Sequence, residues 1–349
     1  MHSKSLMLNS NGLQDVLTQP LEIGSRKILN RAILAPMAGI THVAFRQVMR
    51  QFGGYGLAYT EMCSAKAIAH GQKGKTGYFL WAEEELKNLV CQVMDSDSHD
   101  MARAAEVIEE RGFFGVDINM GCAVSRICRQ GAGAALLKDP DRAARIVSAV
   151  RKAVSCPVLV KYRSGWSGDP SFAADMAKRF EDTGADALIF HPRVAPDKRS
   201  RPPKWEHITD VVRAVSIPVF GNGNLSTPED AAAMLELTGC SGVALGRIAA
   251  ARPWIFAQLS RGLDPSADIV VQTAKDMAQA IWIWYPSHIA PGLYKKFMTF
   301  FCANFAFGHT LRPKLCAGQY LEEMEANITS LLHPCPRLLE RPNTLLLSW

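Results

Sequence analysis

The residue types best suited to chemistry gather in one short run, Asp117-Ile118-Asn119-Met120-Gly121-Cys122. A thiol with an ordinary pKa of about 8.5 is protonated at neutral pH and can deliver a proton as a general acid; with a lowered pKa it becomes a nucleophile. Free cysteines are usually buried filler, and Cys91, Cys156 and Cys240 are read that way. Cys122 differs because it follows a glycine at the end of an apolar run. Similar runs end in other polar residues: Lys161 closes VLVK and His191 closes ALIFH. On one rim, a cation and a hydrogen-bond donor can hold an electron-rich ring such as a flavin, and Gln92 adds an amide able to read that ring's donors and acceptors. Asn222-Gly223 and Gly246-Arg247 close two further runs, where glycine admits close backbone approach and an Arg adds charge, a pairing suited to phosphate. Each of these alone is equally an ordinary turn or a structural side chain. The argument rests on their convergence.

Convergence requires elements that deliver the run ends to one place. Eight apolar, β-branched runs begin near Ala32, Leu57, Asn88, Gly115, Pro157, Asp186, Ile217 and Gly242. Most precede a segment of helical period, with start signals at Asp100, Pro140 and Thr227-Pro228-Glu229. Strand then helix, repeated eight times, predicts a parallel sheet. An open doubly wound sheet would carry G-x-G-x-x-G after its first strand, but this one ends Ala35-Pro36-Met37-Ala38-Gly39. The expected fold is therefore α/β, a (β/α)8 TIM barrel, with its chemistry at the C-terminal strand ends. After Phe256 the strand pattern stops, and Val270–Trp284 and Leu293–Phe305 read as helices. The expected division is an FMN-binding barrel over 1–262 and a small C-terminal helical domain over 263–349, with RNA binding as its expected role and the last dozen residues loosely held.

The 349 residues are 48% hydrophobic and 21% charged, which excludes a disordered chain. The net charge of +6 permits polyanion binding without demonstrating it. Nine scattered cysteines, with no C-x-x-C and no zinc spacing, indicate a reducing compartment and no metal. The first residues lack an apolar core of the secretory kind, and Ile281–Phe307 is broken by prolines and lysines. A cytoplasmic monomer with no membrane contact is expected.

At these residues the sequence resembles the dihydrouridine synthases, FMN-dependent enzymes that reduce uridines in tRNA. The resemblance runs from about Ile33 to Leu259 through APMAGIT, TEMCSAKA, DINMGC with GAGAALLKDP, VLVKYRSGW, IPVFGNGNL and GVALGRIAAARPWIF. It implies that Cys122 is the acid protonating uracil C5 while hydride passes from flavin N5 to C6, and that Asn119 helps hold the uracil edge. It further implies an FMN shell of Pro36, Met37, Gln92, Lys161, His191, Asn222, Gly223, Gly246 and Arg247. Arg163 and Arg193 are expected on the substrate side, with NADPH as reductant and tRNA as partner. The basic run Pro196–Lys204 (PDKRSRPPK) reads as a grip on RNA phosphates or as a solvated loop.

The sequence departs from the family pattern on the RNA side. Ala123 stands where Pro is usual, Ser125 and Arg126 where a Lys is usual, and Pro192 within the usual H-G-R. Gly221-Asn222-Gly223-Asn224 replaces A-N-G-D. Two other readings therefore stay open: an FMN-dependent reductase of a free small molecule, like the dihydroorotate and dihydropyrimidine dehydrogenases, and a non-catalytic RNA-binding relative.

Overall fold

The computed structural model describes residues 8, 10–71, 78–169, 171–195, 197 and 201–347. The chain divides into two compact units. One comprises Tyr55–Leu245 with the segment ending at Pro36; the other comprises Met37–Gly54 with the segment starting at Gly246.

The first unit is built on eight parallel strands, β1 (Ala32–Leu34), β2 (Ala58–Tyr59), β3 (Leu89–Met94), β4 (Gly115–Met120), β5 (Val158–Arg163), β6 (Ala187–His191), β7 (Val219–Asn222) and β8 (Gly242–Leu245). They pair in chain order from β2 to β8, and β8 pairs β1 with Ala244 opposite Ile33. The Leu34 N–H donates to the Leu57 carbonyl and the Gly56 N–H to the Ala32 carbonyl, which brings the sheet round into a barrel. This is the expected (β/α)8 fold.

Side chains alternate across a strand, so every second residue faces the interior. Val90, Leu159, Ile189, Phe220 and Ala244 share one buried cluster, and Ile23 and Ile28 of a hairpin (Leu21–Ile23, Arg26–Ile28) join it. Each fully buried Leu, Ile or Phe contributes about 1.5–3 kcal/mol. The same parity, continued toward the C-terminal ends, gives Gln92, Lys161, His191 and Asn222. The strands are therefore apolar inside at one end and polar at the other. Opposite parity packs on the helices: the Tyr162 hydroxyl donates to the Ala173 carbonyl, and its ring meets Phe180 edge-on.

Two matching devices fix the entry to alternate strands. The Glu109 carboxylate accepts from the Ser155 N–H and hydroxyl and the Cys156 N–H before β5. Glu181 does the same with Ser216 and Ile217 before β7. Partial burial opposes ionisation of both, yet these donors prevail, and Lys178 adds to the effect at Glu181, which falls to about 2. The helix over Pro140–Ala153 starts as expected, capped by Asp139, and Pro228–Thr238 carries a Thr227 capping box and closes on left-handed Gly239. The helix expected from Asp100 begins a turn earlier, because the Asp97 carboxylate accepts from the N–H groups of His99 and Asp100.

The second unit is helical. Its main helix, Ala267–Trp284, packs against Val43–Phe52, the helix that follows β1, and the Trp284 indole donates to Gln47 at 2.6 Å. The expected boundary at 262/263 falls within this unit, which also recruits the first βα segment. Phe301 contacts Trp254, Phe297 and Phe305 in its core. The last dozen residues differ from expectation as far as Leu347. Arg252 donates to the carbonyls of Leu339 and Glu340, and the Asn343 N–H to the Ala303 carbonyl. Among the described residues, no helix is long and apolar enough to cross a membrane.

Candidate active site

Six of the expected residues of the first unit lie at the C-terminal strand ends. Asn119 on β4 lies opposite Lys161 on β5 in the strand register, and Arg163 lies opposite His191 on β6. The Lys161 ammonium donates to Asn222 Oδ1 at 3.4 Å, while Asn222 Nδ2 donates to the Ala244 carbonyl at 2.7 Å and so locks that amide. Gly223, at φ +135°, completes the group: a Cβ there would stand 3.1 Å from His191 Cδ2. Half-buried Lys161 is pulled below the ordinary lysine range by desolvation and then by Arg163, against the opposing pull of Asp117 and Cys122. Among the described residues, no carboxylate stands within ion-pair distance of it.

Cys122 follows β4, half-buried, with its peptide held from both sides. Its N–H donates to Asn119 Oδ1 at 2.9 Å, and its carbonyl accepts from the Ala134 N–H at 2.9 Å. The GAGAALL stretch thus has a specific task. Gly133, at φ +61°, passes so close that a Cβ would lie 2.6 Å from the Cys122 carbonyl oxygen and 3.2 Å from its Cβ. Asn119 Nδ2 donates to Gln92 Oε1 at 2.8 Å, and Gln92 Nε2 to Asp117 Oδ2 at 2.6 Å.

Not every expected residue is placed as the sequence suggested. Gln92 is buried and its amide engages protein groups at both ends. Arg193, expected at the substrate, is 4% exposed and ties two loops together, through the Arg201 carbonyl at 2.9 Å and Asn224 Oδ1 at 3.2 Å. Pro36 is half-buried just past β1. Met37, Gly246 and Arg247 belong to the second unit, where the Thr41 hydroxyl donates to the Met37 carbonyl and Arg247 donates to the Leu347 carbonyl at 2.6 Å. Of the basic run 196–204, residues 196 and 198–200 lie outside the described residues. The departures from the family pattern acquire local reasons: Gly221 lies where a Cβ would meet Met234 Sδ at 2.5 Å, and Asn224 adopts φ +56°, which Asn tolerates. Ser125 and Arg126 open a short exposed helix, Ser125–Arg129. Asp117 stands in the run singled out for chemistry but was given no role there. Its position two before Asn119 on β4 puts it on the same face, and that parity was the available signal.

A lysine with no ion pair among the described residues, beside amides and a glycine backbone, suits a planar ring that carries negative charge, so this rim fits a flavin. The family model for dihydrouridine synthase (Dus) matches residues 33–322. The chain is 37% identical over 244 residues to tRNA-dihydrouridine synthase B of Pseudomonas aeruginosa, covering 70% of this chain and 73% of the relative. It is 31% identical over 328 residues to the protein of the same name from Pseudomonas putida, covering 92% and 96%. Among solved structures, 6-hydroxypseudooxynicotine amine oxidase from Pseudomonas geniculata superposes with a TM-score of 0.55 at 14% identity, over 72% of this chain and 50% of that one. A structure described as TcOYE with pHBA superposes at 0.54 and 11%, over 73% and 96%. These two share the fold. Fold and family match together define a barrel enzyme of the oxidoreductase class. The chain belongs to the dihydrouridine synthase family, and with that family comes a flavin cofactor.

Proposed function

We propose that the protein reduces uridine to 5,6-dihydrouridine in tRNA, with FMN as its flavin and NADPH as reductant, acting as a monomer in the cytoplasm. Family membership supports the reaction, the names of the relatives support tRNA, and nine free cysteines suit a reducing compartment. When bound, the flavin supplies the hydride, from N5 to uracil C6. Cys122 supplies the proton, to C5. Lys161 and His191 hold the electron-rich edge of the ring, Asn222, Gly223, Gly246 and Arg247 serve its phosphate end, and Pro36, Met37 and Gln92 complete the shell. Asn119 and Arg163 face the uracil, which must leave its stack to enter.

The observation that carries this reading is the double anchoring of Cys122 on the rim that holds Lys161. Held at its N–H and its carbonyl, the loop presents the thiol from a fixed place at the strand end. The test compares wild type with Cys122→Ala on unmodified tRNA and NADPH, with dihydrouridine counted by mass spectrometry. The variant should keep its yellow absorbance and its tRNA affinity and lose about 10²–10⁴ in turnover, the usual share of a general acid. Wild-type turnover by the variant would remove Cys122 from the role. Affinity for tRNA should fall steeply with salt; reduction of a free pyrimidine with tRNA ignored would favour the small-molecule reductase.

A further inference from the structure

We propose that Asp117 is a positioning residue, the terminus of a one-way chain of hydrogen bonds that orients Gln92 and Asn119 and thereby the Cys122 loop. The inference rests on the reading of Cys122 as the proton donor. Every donation runs in one direction. The N–H groups of Gly121 and Cys122 donate to Asn119 Oδ1 at 3.1 and 2.9 Å, Asn119 Nδ2 to Gln92 Oε1 at 2.8 Å, and Gln92 Nε2 to Asp117 Oδ2 at 2.6 Å. Backbone N–H groups can only donate, and a carboxylate can only accept. With those ends fixed, each amide between them has a single satisfactory orientation.

The burial of Asp117 makes a charge there costly. The residue is wholly buried within β4, and among the described residues its Oδ1 has no hydrogen-bond partner. Burying a carboxylate is costly, and an apolar residue of that size would pack at less cost. Desolvation raises its pKa, while the Gln92 bond and the nearby Lys161 favour the ionised form. What the carboxylate contributes is direction. Hydrogen bonds in such a series polarise one another, so the acceptor at the far end strengthens the grip at Cys122. Gln92 is itself tethered, its N–H donating to the Thr60 hydroxyl at 3.1 Å, so the break should propagate toward Asn119.

The test reads thiol accessibility as well as turnover. Purified flavin-bound protein is treated with iodoacetamide, and alkylation of each cysteine is followed by peptide mass spectrometry, with half-buried Cys335 as internal control. In Asp117→Leu, orphaning the Gln92 amide should release the loop and speed Cys122 alkylation about tenfold or more, with Cys335 unchanged. Turnover should drop while KM for tRNA holds. Gln92→Leu, which cuts the middle of the chain, should give the same signature and covers the case in which Asp117→Leu fails to fold. Asp117→Asn retains an acceptor oxygen, so its Cys122 should alkylate within about twofold of wild type. The proposal is overturned if the folded leucine variants alkylate at the wild-type rate, or if Asp117→Asn behaves like Asp117→Leu. Because alkylation needs no RNA, absence of dihydrouridine synthesis in wild type would sink the proposed function through a different measurement.

Discussion

Cys122 shows how a reactive residue is defined by what surrounds its backbone. Its thiol is half-buried and ordinary in kind; its peptide is gripped by Asn119 and Ala134, and Gly133 clears the space beside it. Gly133→Ala tests that grip without touching a polar group. The added methyl meets a backbone oxygen at 2.6 Å, in a φ of +61° that side chains rarely adopt, so the loop must shift. A displacement near 1 Å typically costs about 10²-fold in rate. Turnover of the variant should fall by that order while flavin absorbance persists, and a variant as active as wild type would show the loop has room to spare. Asn119 and Cys122 were legible as residues, because a motif names them; their mutual hydrogen bond was not, since spacing says nothing of side-chain direction until the strand register is known. The contacts of Arg193 were hidden for the same reason, since nothing in the sequence shows that it reaches the Arg201 carbonyl and Asn224.

At the scale of elements, the barrel was legible because eight short β-branched runs ending in polar residues leave few alternatives, and interior parity then orders Gln92, Lys161, His191 and Asn222 on one rim. What escaped was the helix Val43–Phe52, whose membership of the helical unit depends on long-range packing with Ala267–Trp284. That helix starts at His42, whose Nδ1 accepts from the Phe45 N–H at 3.2 Å and so requires a neutral ring. Burial chiefly, then Arg46 and Lys296, depresses its pKa from 6.5 to about 3. The unfolded chain therefore takes up a proton below about pH 6.5 that the folded chain refuses. Stability is complete above that pH and drops by about 1.4 kcal/mol per unit as the pH falls from there toward 3. His42→Asn keeps a capping side chain and removes the titration. Urea unfolding at pH 7.0 and 5.0 should show a loss smaller by about 1–2 kcal/mol in the variant than in wild type; equal losses would place the uptake elsewhere.

On the scale of a whole unit, three separated stretches of chain are held together by one buried cation. Arg252 is 6% exposed; its Nε donates to Asn304 Oδ1 at 2.8 Å, and Nη2 donates to the carbonyls of Leu339 at 2.6 Å and Glu340 at 2.9 Å. Burial lowers its pKa to about 10, so the guanidinium stays charged at neutral pH. Only a planar fork reaches acceptors in such different directions, so Lys is no substitute. This explains why the tail is ordered although its composition resembles a frayed end: Pro and Arg residues give no apolar period to read, and the organising contact lies some ninety residues away. The tail in turn supplies the Leu347 carbonyl to Arg247, an arginine of the proposed phosphate shell. Arg252→Met keeps the bulk of the side chain and removes all three donations, leaving the acceptors to find water at a cost of about 2–3 kcal/mol. Trypsin under native conditions should then cut after Arg337 about tenfold faster or more than in wild type, since cleavage follows the population of the opened tail. Mass spectrometry of the early fragments distinguishes this local opening from global unfolding, in which cuts would appear throughout the chain. An unchanged rate at Arg337 would mean that the carbonyls of Leu339 and Glu340 are held without Arg252, and that the unit is organised from another point.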